Sequence, residues 1–190
     1  MDKMQAMVER DERQIQSLIR LIEDMLDVSR IRTGKLSIRP HEFDLSRLVT
    51  TLVHTFASQI SAAQSSINLR AEQPVVGQWD EFRIEQVVSN LLTNALRYGA
   101  KSPIDVSVYA EGKRAVVEVR DQGIGISEEN QQRIFLQFER VTAKHAVAGL
   151  GLGLFISEQI VAAHHGEITV HSALGEGALF RVSLPLEQNS

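Results

Sequence analysis

Asn90 and Asn94 stand four residues apart in the segment EQVVSNLLTNALRYG, followed by Arg97 and Tyr98. On a helix at 100° per residue, Asn90, Asn94 and Arg97 fall within about 60° of one another, with Tyr98 at the edge of that face. Ile84, Val88, Leu91, Leu92, Ala95 and Leu96 take the other side. One face is a core stripe. The other presents two carboxamides, a cation and a phenol. A carboxamide oxygen is a neutral hard ligand, suited to Mg²⁺ that keeps its waters and bridges phosphates. A solvated polar face reads the same way, because polar outer faces are the rule on surface helices.

Three further segments carry chemistry. In VVEVRDQGIGIS a β-rich run ends in Asp121, followed by Gly123 and Gly125. A carboxylate at a strand end, beside backbone that allows close approach, can accept a hydrogen bond from an exocyclic amine. The same residues also suit a plain Asp-Gly turn. In GLGLGL, Gly149, Gly151 and Gly153 precede a helical pattern, where backbone N–H groups and the helix dipole favour an anion. The spacing is G-x-G-x-G with no strand immediately before it, so it is not the dinucleotide fingerprint, and the P-loop pattern is absent. Between Asp121 and Gly149 lies IFLQFERVTAKHAVA. Phe135 and Phe138 read as anchors, and the polar stretch behind them as a mobile lid. Arg140 and Lys144 could reach phosphates or serve solubility alone.

These residues need a scaffold. A helix over 8–33 carries the stripe Ile15, Leu18, Ile22, Met25 and Ser29, widened by Ile19 and Leu26, and stops at Gly34. Glu23, Asp24, Asp27, Arg30 and Arg32 are expected to face solvent. The stripe suits partner helices in a bundle. Short extended pieces surround Pro40. Asp44 caps a helix to about residue 63, a strand spans 66–72, and Asp80 caps a helix to about Tyr98. Strands follow over 104–110 and 114–120, joined at Glu111-Gly112. A short helix is expected near 127–136, a longer one over 151–165, and last strands over 167–172 and 178–184, separated by Gly175 and Gly177. The predicted fold class is α/β: a two-layer sandwich of a mixed, mostly antiparallel sheet with helices on one face, preceded by one long N-terminal helix.

Composition bounds the function. The 190 residues carry 20 Lys+Arg and 24 Asp+Glu, a net charge of −4, which argues against a nucleic-acid partner. There is no cysteine, which removes disulfides, thiolate zinc sites and thiol catalysis. No apolar run approaches ~18 residues and no leader is visible, so no membrane contact is expected of this segment.

Taken in order, the segments resemble one family, the catalytic ATP-binding part of sensor histidine kinases, in the superfamily that includes gyrase and the MutL repair proteins. SNLLTNALRY is similar to its asparagine box, DQGIGI to the first glycine box, IFLQFER to the phenylalanine box and GLGLGL to the second glycine box. HHGEITVHSALGEGALFRVSLP is similar to the closing segment. LIRLIEDMLDVSRIRTGKL resembles the second helix of the dimerisation and phosphoacceptor hairpin. The resemblance runs from about residue 13 to 186. It implies ATP and Mg²⁺ as cofactors, with Asn94 on the metal and Asn90 lining the same phosphate region. Arg97 would lie near the phosphates and Tyr98 near the nucleotide. Asp121 would read the adenine amino group, with Gly123 and Gly125 shaping that wall. Gly149, Gly151 and Gly153 would border the triphosphate. Ile126, Phe138, Arg140, Lys144, Leu150, Leu152 and Leu154 belong to the same implied nucleotide site.

The resemblance also implies what is different here. In ATP-hydrolysing relatives a Glu stands four residues before the metal-binding Asn and activates water. This chain has Asn90 there, and an amide is no general base at neutral pH. Transfer to a histidine is therefore expected rather than hydrolysis. The family's acceptor histidine sits in a segment like SHELRTPL on the first hairpin helix, and none of the six histidines here lies in such a segment. Ala178 replaces the usual Thr of the last turn. The expected organisation is 1–34 as the second hairpin helix, without its acceptor helix, and 35–190 as the catalytic domain. Such a piece is not expected to autophosphorylate alone. The implied partners are a second hairpin for dimerisation through the N-terminal helix and the receiver domain of a response regulator. The implied setting is the bacterial cytoplasm, where ATP is. Two other readings remain open: a non-catalytic module that binds a partner kinase through the Ile15–Met25 stripe, and a serine kinase of the anti-sigma type.

Overall fold

The computed structural model describes residues 3–99, 101–139 and 150–187. Helix α1 (Lys3–Arg32) starts five residues earlier than its apolar pattern. It ends as expected at Gly34, whose φ of +65° lets the Gly34 and Lys35 N–H groups return to the Ile31 and Arg30 carbonyls. Strand β1 (His41–Asp44) leads into α2 (Leu45–Thr55). The Asp44 carboxylate caps α2 at the Ser46 N–H, 2.9 Å away, and also accepts from Val75 N–H. The single helix expected to residue 63 is broken. The backbone turns at Phe56, which is buried, and a separate α3 (Ala57–Ala62) follows with no buried residue. Among the described residues, Ile60 alone of α3 packs on the core, and only in part, so little holds the helix in line with α2.

Strand β2 (Ile67–Arg70) is shorter than predicted, and β3 (Val76–Trp79) was not predicted at all. Pro74 and Gly77 disguise β3 as a loop. It pairs antiparallel with β1 in a two-stranded sheet. Trp79, fully buried, ties that sheet to the rest of the fold by donating its indole N–H to the Pro185 carbonyl at 2.7 Å. Then come α4 (Glu81–Tyr98), β4 (Ile104–Glu111), β5 (Arg114–Asp121), the one-turn α5 (Glu128–Gln131) and a 3₁₀ turn (Arg133–Phe135). The chain closes with α6 (Gly153–Ala163), β6 (Glu167–Ser172) and β7 (Ala178–Pro185).

The main sheet has the order β2-β4-β5-β7-β6. Only β2 and β4 run parallel; the other neighbours are antiparallel. Alternate residues of the central strands (Ile104, Val106, Val108; Val117, Val119; Phe180, Val182, Leu184) are buried beneath the helices. Ile84, Val88, Leu91, Leu92 and Ala95 of α4 and Ile156 and Ile160 of α6 fill the same core. This is the predicted mixed α/β fold.

At the start of α4, Asp80 caps the Arg83 N–H and also accepts from Arg39 N–H. Its own N–H donates to Nε2 of the fully buried His164, 3.0 Å away, whose Nδ1 lies 2.8 Å from the Ile160 carbonyl. That pattern requires a neutral ring, and burial lowers the His164 pKa accordingly. Among the described residues no helix is long and apolar enough to cross a membrane.

Candidate functional site

The polar face of α4 lies against the N-terminus of α6. Asn90 donates from its amide to Ser157 Oγ at 3.0 Å. A Cβ on Gly153 would stand 2.3 Å from the Asn90 side-chain oxygen, so only glycine lets α6 begin this close to α4. One turn on, Asn94 is half-buried, and among the described residues no side-chain hydrogen bond engages its amide. Arg97 is exposed and Tyr98 half-buried; both border the same cleft.

Across that cleft, β5 ends in Asp121, 6% exposed. Its Oδ1 accepts from Gly123 N–H at 2.8 Å. Burial raises the carboxyl pKa; the backbone donors at Gly123 and Ala178 pull it down. The chain then passes so near α4 that a Cβ on Gly123 would lie 1.8 Å from the Tyr98 carbonyl oxygen. Gly125 and Ile126 follow along the rim, where Ser172 Oγ accepts from Ile126 N–H and donates to the Gly177 carbonyl. Gln131 bonds the carbonyls of both Ile126 and Ser172. Ile134, Ala178 and Phe180 give this end of the cleft an apolar floor.

The third side is the start of α6. Its N-cap position, Leu152, supplies no side-chain hydrogen bond, so the first N–H groups of the helix are left for an anion. Leu150, Gly151, Leu152, Gly153 and Leu154 all line the cleft. Leu152 is fully buried and packs the turn in place. The cleft measures about 1260 Å³. That exceeds the ~300–1,000 Å³ of most small-molecule sites because α1 adds a further wall. Chemically it offers a buried acceptor, an apolar floor, an open amide, a cation and helix N–H groups.

Most of the predicted residues therefore meet: Asn90, Asn94, Arg97, Tyr98, Asp121, Gly125, Ile126 and residues 150–154 border one cavity. Gly123 shapes the wall without lining it. Phe138 stands apart from this cavity. Its ring is 60% exposed and outside the lining, and its φ is +62°. The backbone makes the contact instead, Phe138 N–H donating to the Gly151 carbonyl at 3.1 Å. Phe135 does pack on the core. Arg140, Lys144, His145 and Gly149 lie outside the described residues.

Sequence reasoning missed a second set. Arg83 and Gln86 continue the Asn90–Asn94 stripe toward the N-terminus of α4, at the same helical spacing. Both bond Asp27 of α1, at 2.8–2.9 Å from Arg83 Nη1 and 2.8 Å from Gln86. Asp27, expected in solvent, is 4% exposed and Arg83 7%. A 3-4 spacing read upstream from Asn90 would have reached Gln86 and Arg83, but nothing local pointed to Asp27.

The chain matches the family profile described as histidine kinase-, DNA gyrase B-, and HSP90-like ATPase over residues 79–188. It is 34% identical over 174 residues to the circadian input-output histidine kinase CikA of Synechococcus elongatus, covering 88% of this chain and 23% of that protein. It is 35% identical over 179 residues to the sensor histidine kinase RppB of Synechocystis sp., covering 92% of this chain and 39% of that one. The Acinetobacter baumannii histidine kinase AdeS shares the fold, with a TM-score of 0.79 at 22% identity, over 98% of this chain and 86% of that chain. The chain spans less than two-fifths of the length of these two sequence relatives. By the profile match, this chain belongs to the histidine kinase-, DNA gyrase B- and HSP90-like ATPases.

Proposed function

We propose that this chain is the ATP-binding catalytic part of a two-component sensor histidine kinase, passing the γ-phosphoryl of ATP to a histidine on a separate helix. The observation that carries the reading is the open amide of Asn94, which lines one cleft together with Asp121 and the uncapped start of α6. Asp121 would accept from the adenine amino group, over the floor of Ile134, Ala178 and Phe180. Gly123 and Gly125 hold the wall, and Tyr98 flanks the nucleotide. The α6 N–H groups and Arg97 would neutralise phosphate charge, with Asn90 held beside them by Ser157. Arg140, Lys144 and Gly149 would complete the phosphate end.

Mg²⁺ fits the donor set. Among the described residues there is no cluster of three His, Asp or Glu, so the protein offers one neutral oxygen rather than a cage. A hard cation that needs few protein ligands matches such a site, and Asn94 would hold it through its side-chain oxygen. When bound, the ion supplies charge neutralisation on the phosphoryl oxygens. Phosphoryl transfer needs that and placement more than covalent help. Asn90, an amide bonded to Ser157, is no base for water, so transfer to a stronger nucleophile is favoured over hydrolysis.

Residues 1–34 would form the second helix of a dimerising hairpin and 35–190 the catalytic domain, on the cytoplasmic side. The phosphoryl group would pass on to the Asp of a receiver domain. A second reading rests on α1: Ile15, Leu18, Ile22 and Met25 are 52–59% exposed, as in a module that only binds a partner kinase. The experiment supplies [γ-³²P]ATP and a separate hairpin bearing an acceptor histidine. The catalytic reading predicts a labelled hairpin with the wild-type chain and none with Asn94→Ala. Nucleotide binding with no transfer to any hairpin would favour the partner-binding module.

A further inference from the structure

Helix α4 carries two polar clusters on one stripe. Asn90 and Asn94 are in its middle; Arg83 and Gln86 are in its first two turns, and they hold α1. One nitrogen, Arg83 Nη1, straddles both oxygens of Asp27 at 2.8 and 2.9 Å and also donates to Gln86 Oε1 at 2.9 Å. Gln86 returns a bond to Asp27 Oδ2 at 2.8 Å. Arg30 stands farther off, 3.5 Å from Asp27 Oδ1. Carboxylate and guanidinium are both buried, whereas Met25 and Leu26 on the preceding turn of α1 are more than half exposed. Beyond this cluster, among the described residues, α1 packs on the core through Val28 and Ile31 near its end.

A buried ion pair adds little net stability but penalises every arrangement that strands one charge. A one-turn slip or a swing of α1 would leave Asp27 and Arg83 unpaired. The cluster therefore specifies where α1 sits relative to the nucleotide helix. From Arg83 to Asn94 is eleven residues of one unbroken helix, about 17 Å along its axis. We propose that Asp27, Arg83 and Gln86 form a positioning pin that fixes α1 as a wall of the nucleotide cleft, so that whatever packs on the α1 stripe is held at a set distance from Asn94. This rests on the nucleotide reading of the cleft given above; the pin's geometry itself does not.

The chain has no cysteine, so two can be introduced for spin labels without background. Gln14→Cys on α1 and Lys113→Cys in the β4–β5 turn are both exposed. Labelled chain is diluted into unlabelled chain so that only distances within one molecule are read. The pin predicts one narrow distance in the parent and a distribution at least twice as wide in Arg83→Met and Asp27→Ala. In both variants the stranded charge regains water when α1 swings away. Since a single nitrogen makes the bonds, Arg83→Lys should restore the narrow distance, a rescue that mere filling of space would not give. Asp27→Ala, on a helix turn, keeps the test open should Arg83→Met not fold. Distributions as narrow as the parent's in both charge-removing variants, or no rescue by lysine, overturn the proposal. Binding of a fluorescent ATP analogue is measured on the same samples. A parent chain that holds the narrow distance yet binds no nucleotide refutes the nucleotide reading and leaves the pin standing.

Discussion

The two halves of the α4 polar stripe use similar residue types to opposite ends. In the first two turns, Arg83 and Gln86 are bonded to Asp27, with Arg83 buried and Gln86 half-buried. Farther on, Asn94 and Arg97 face an open cleft, and among the described residues no side chain engages the Asn94 amide. Asn90 marks the change, packed on Gly153 and bonded to Ser157 yet still at the cleft edge. A satisfied polar cluster holds structure. An unsatisfied one, set among rigid walls, is where a ligand's charge can be met. Periodicity alone does not separate the two; their partners do.

The largest effect is expected at the wall that keeps the open half in shape. Gly123→Ala sets a Cβ 1.8 Å from the Tyr98 carbonyl oxygen, where no flexible side chain can yield. Overpacking of this kind costs roughly 1–3 kcal/mol or more, and nucleotide binding should be lost in titration while far-UV circular dichroism still reports a folded chain.

Next comes the contrast between halves. Asn94→Ala should weaken Mg²⁺·ATP by about 1.5–3 kcal/mol, roughly ten- to 150-fold, and change unfolding free energy by less than ~0.5 kcal/mol. Asp27→Ala should do the reverse. It removes bonds in the closed half, lowers stability by about 1–2 kcal/mol in urea, and leaves the proposed adenine contact at Asp121 intact. If both variants lose stability alike, the two halves are one structural unit and the comparison fails.

Acid should act through two groups with effects of opposite sign. His164 is held neutral: unfolded it takes a proton near pH 6.5, folded only below that. Its contribution to stability is therefore lost as pH falls through 6.5, and His164→Gln should flatten the fall in melting temperature between pH 7.5 and 5.5. Burial raises Asp24, at the α1 wall, from 3.8 to about 6. The folded chain then binds the extra proton between those values, so Asp24 makes stability decline as pH rises from about 4 to 6, and the penalty is complete at pH 7. The side chain is still partly in water, which screens the effect, so Asp24→Asn should stabilise by at most ~1 kcal/mol at pH 7 and by nothing at pH 4.

The sequence made the open half legible because its signals are local. Asn90 and Asn94 share a helix face, Asp121 ends a clear strand, and three glycines precede a helix. Helix caps at Asp44 and Asp80 were equally readable. The closed half was hidden because its contacts are distant: Asp27 and Arg83 are 56 residues apart, and a lone Asp on a long helix reads as solvated. The placement of Phe138, exposed at a φ of +62° with its N–H on the Gly151 carbonyl, is likewise not carried by its residue type. Strand β3 and the break at Phe56 depend on what packs around them, which no window of the sequence contains.

We propose that the open half of the stripe takes up a metal–nucleotide complex. Calorimetric titration of the chain with ATP, with and without Mg²⁺, tests it most directly, beside Asn94→Ala and a thermal melt of each protein. The account predicts Mg²⁺-dependent binding by the wild-type chain, at least tenfold weaker in Asn94→Ala at an unchanged melting temperature. A folded wild-type chain that takes up no ATP at millimolar concentration, or an Asn94→Ala chain that binds as tightly, would contradict it.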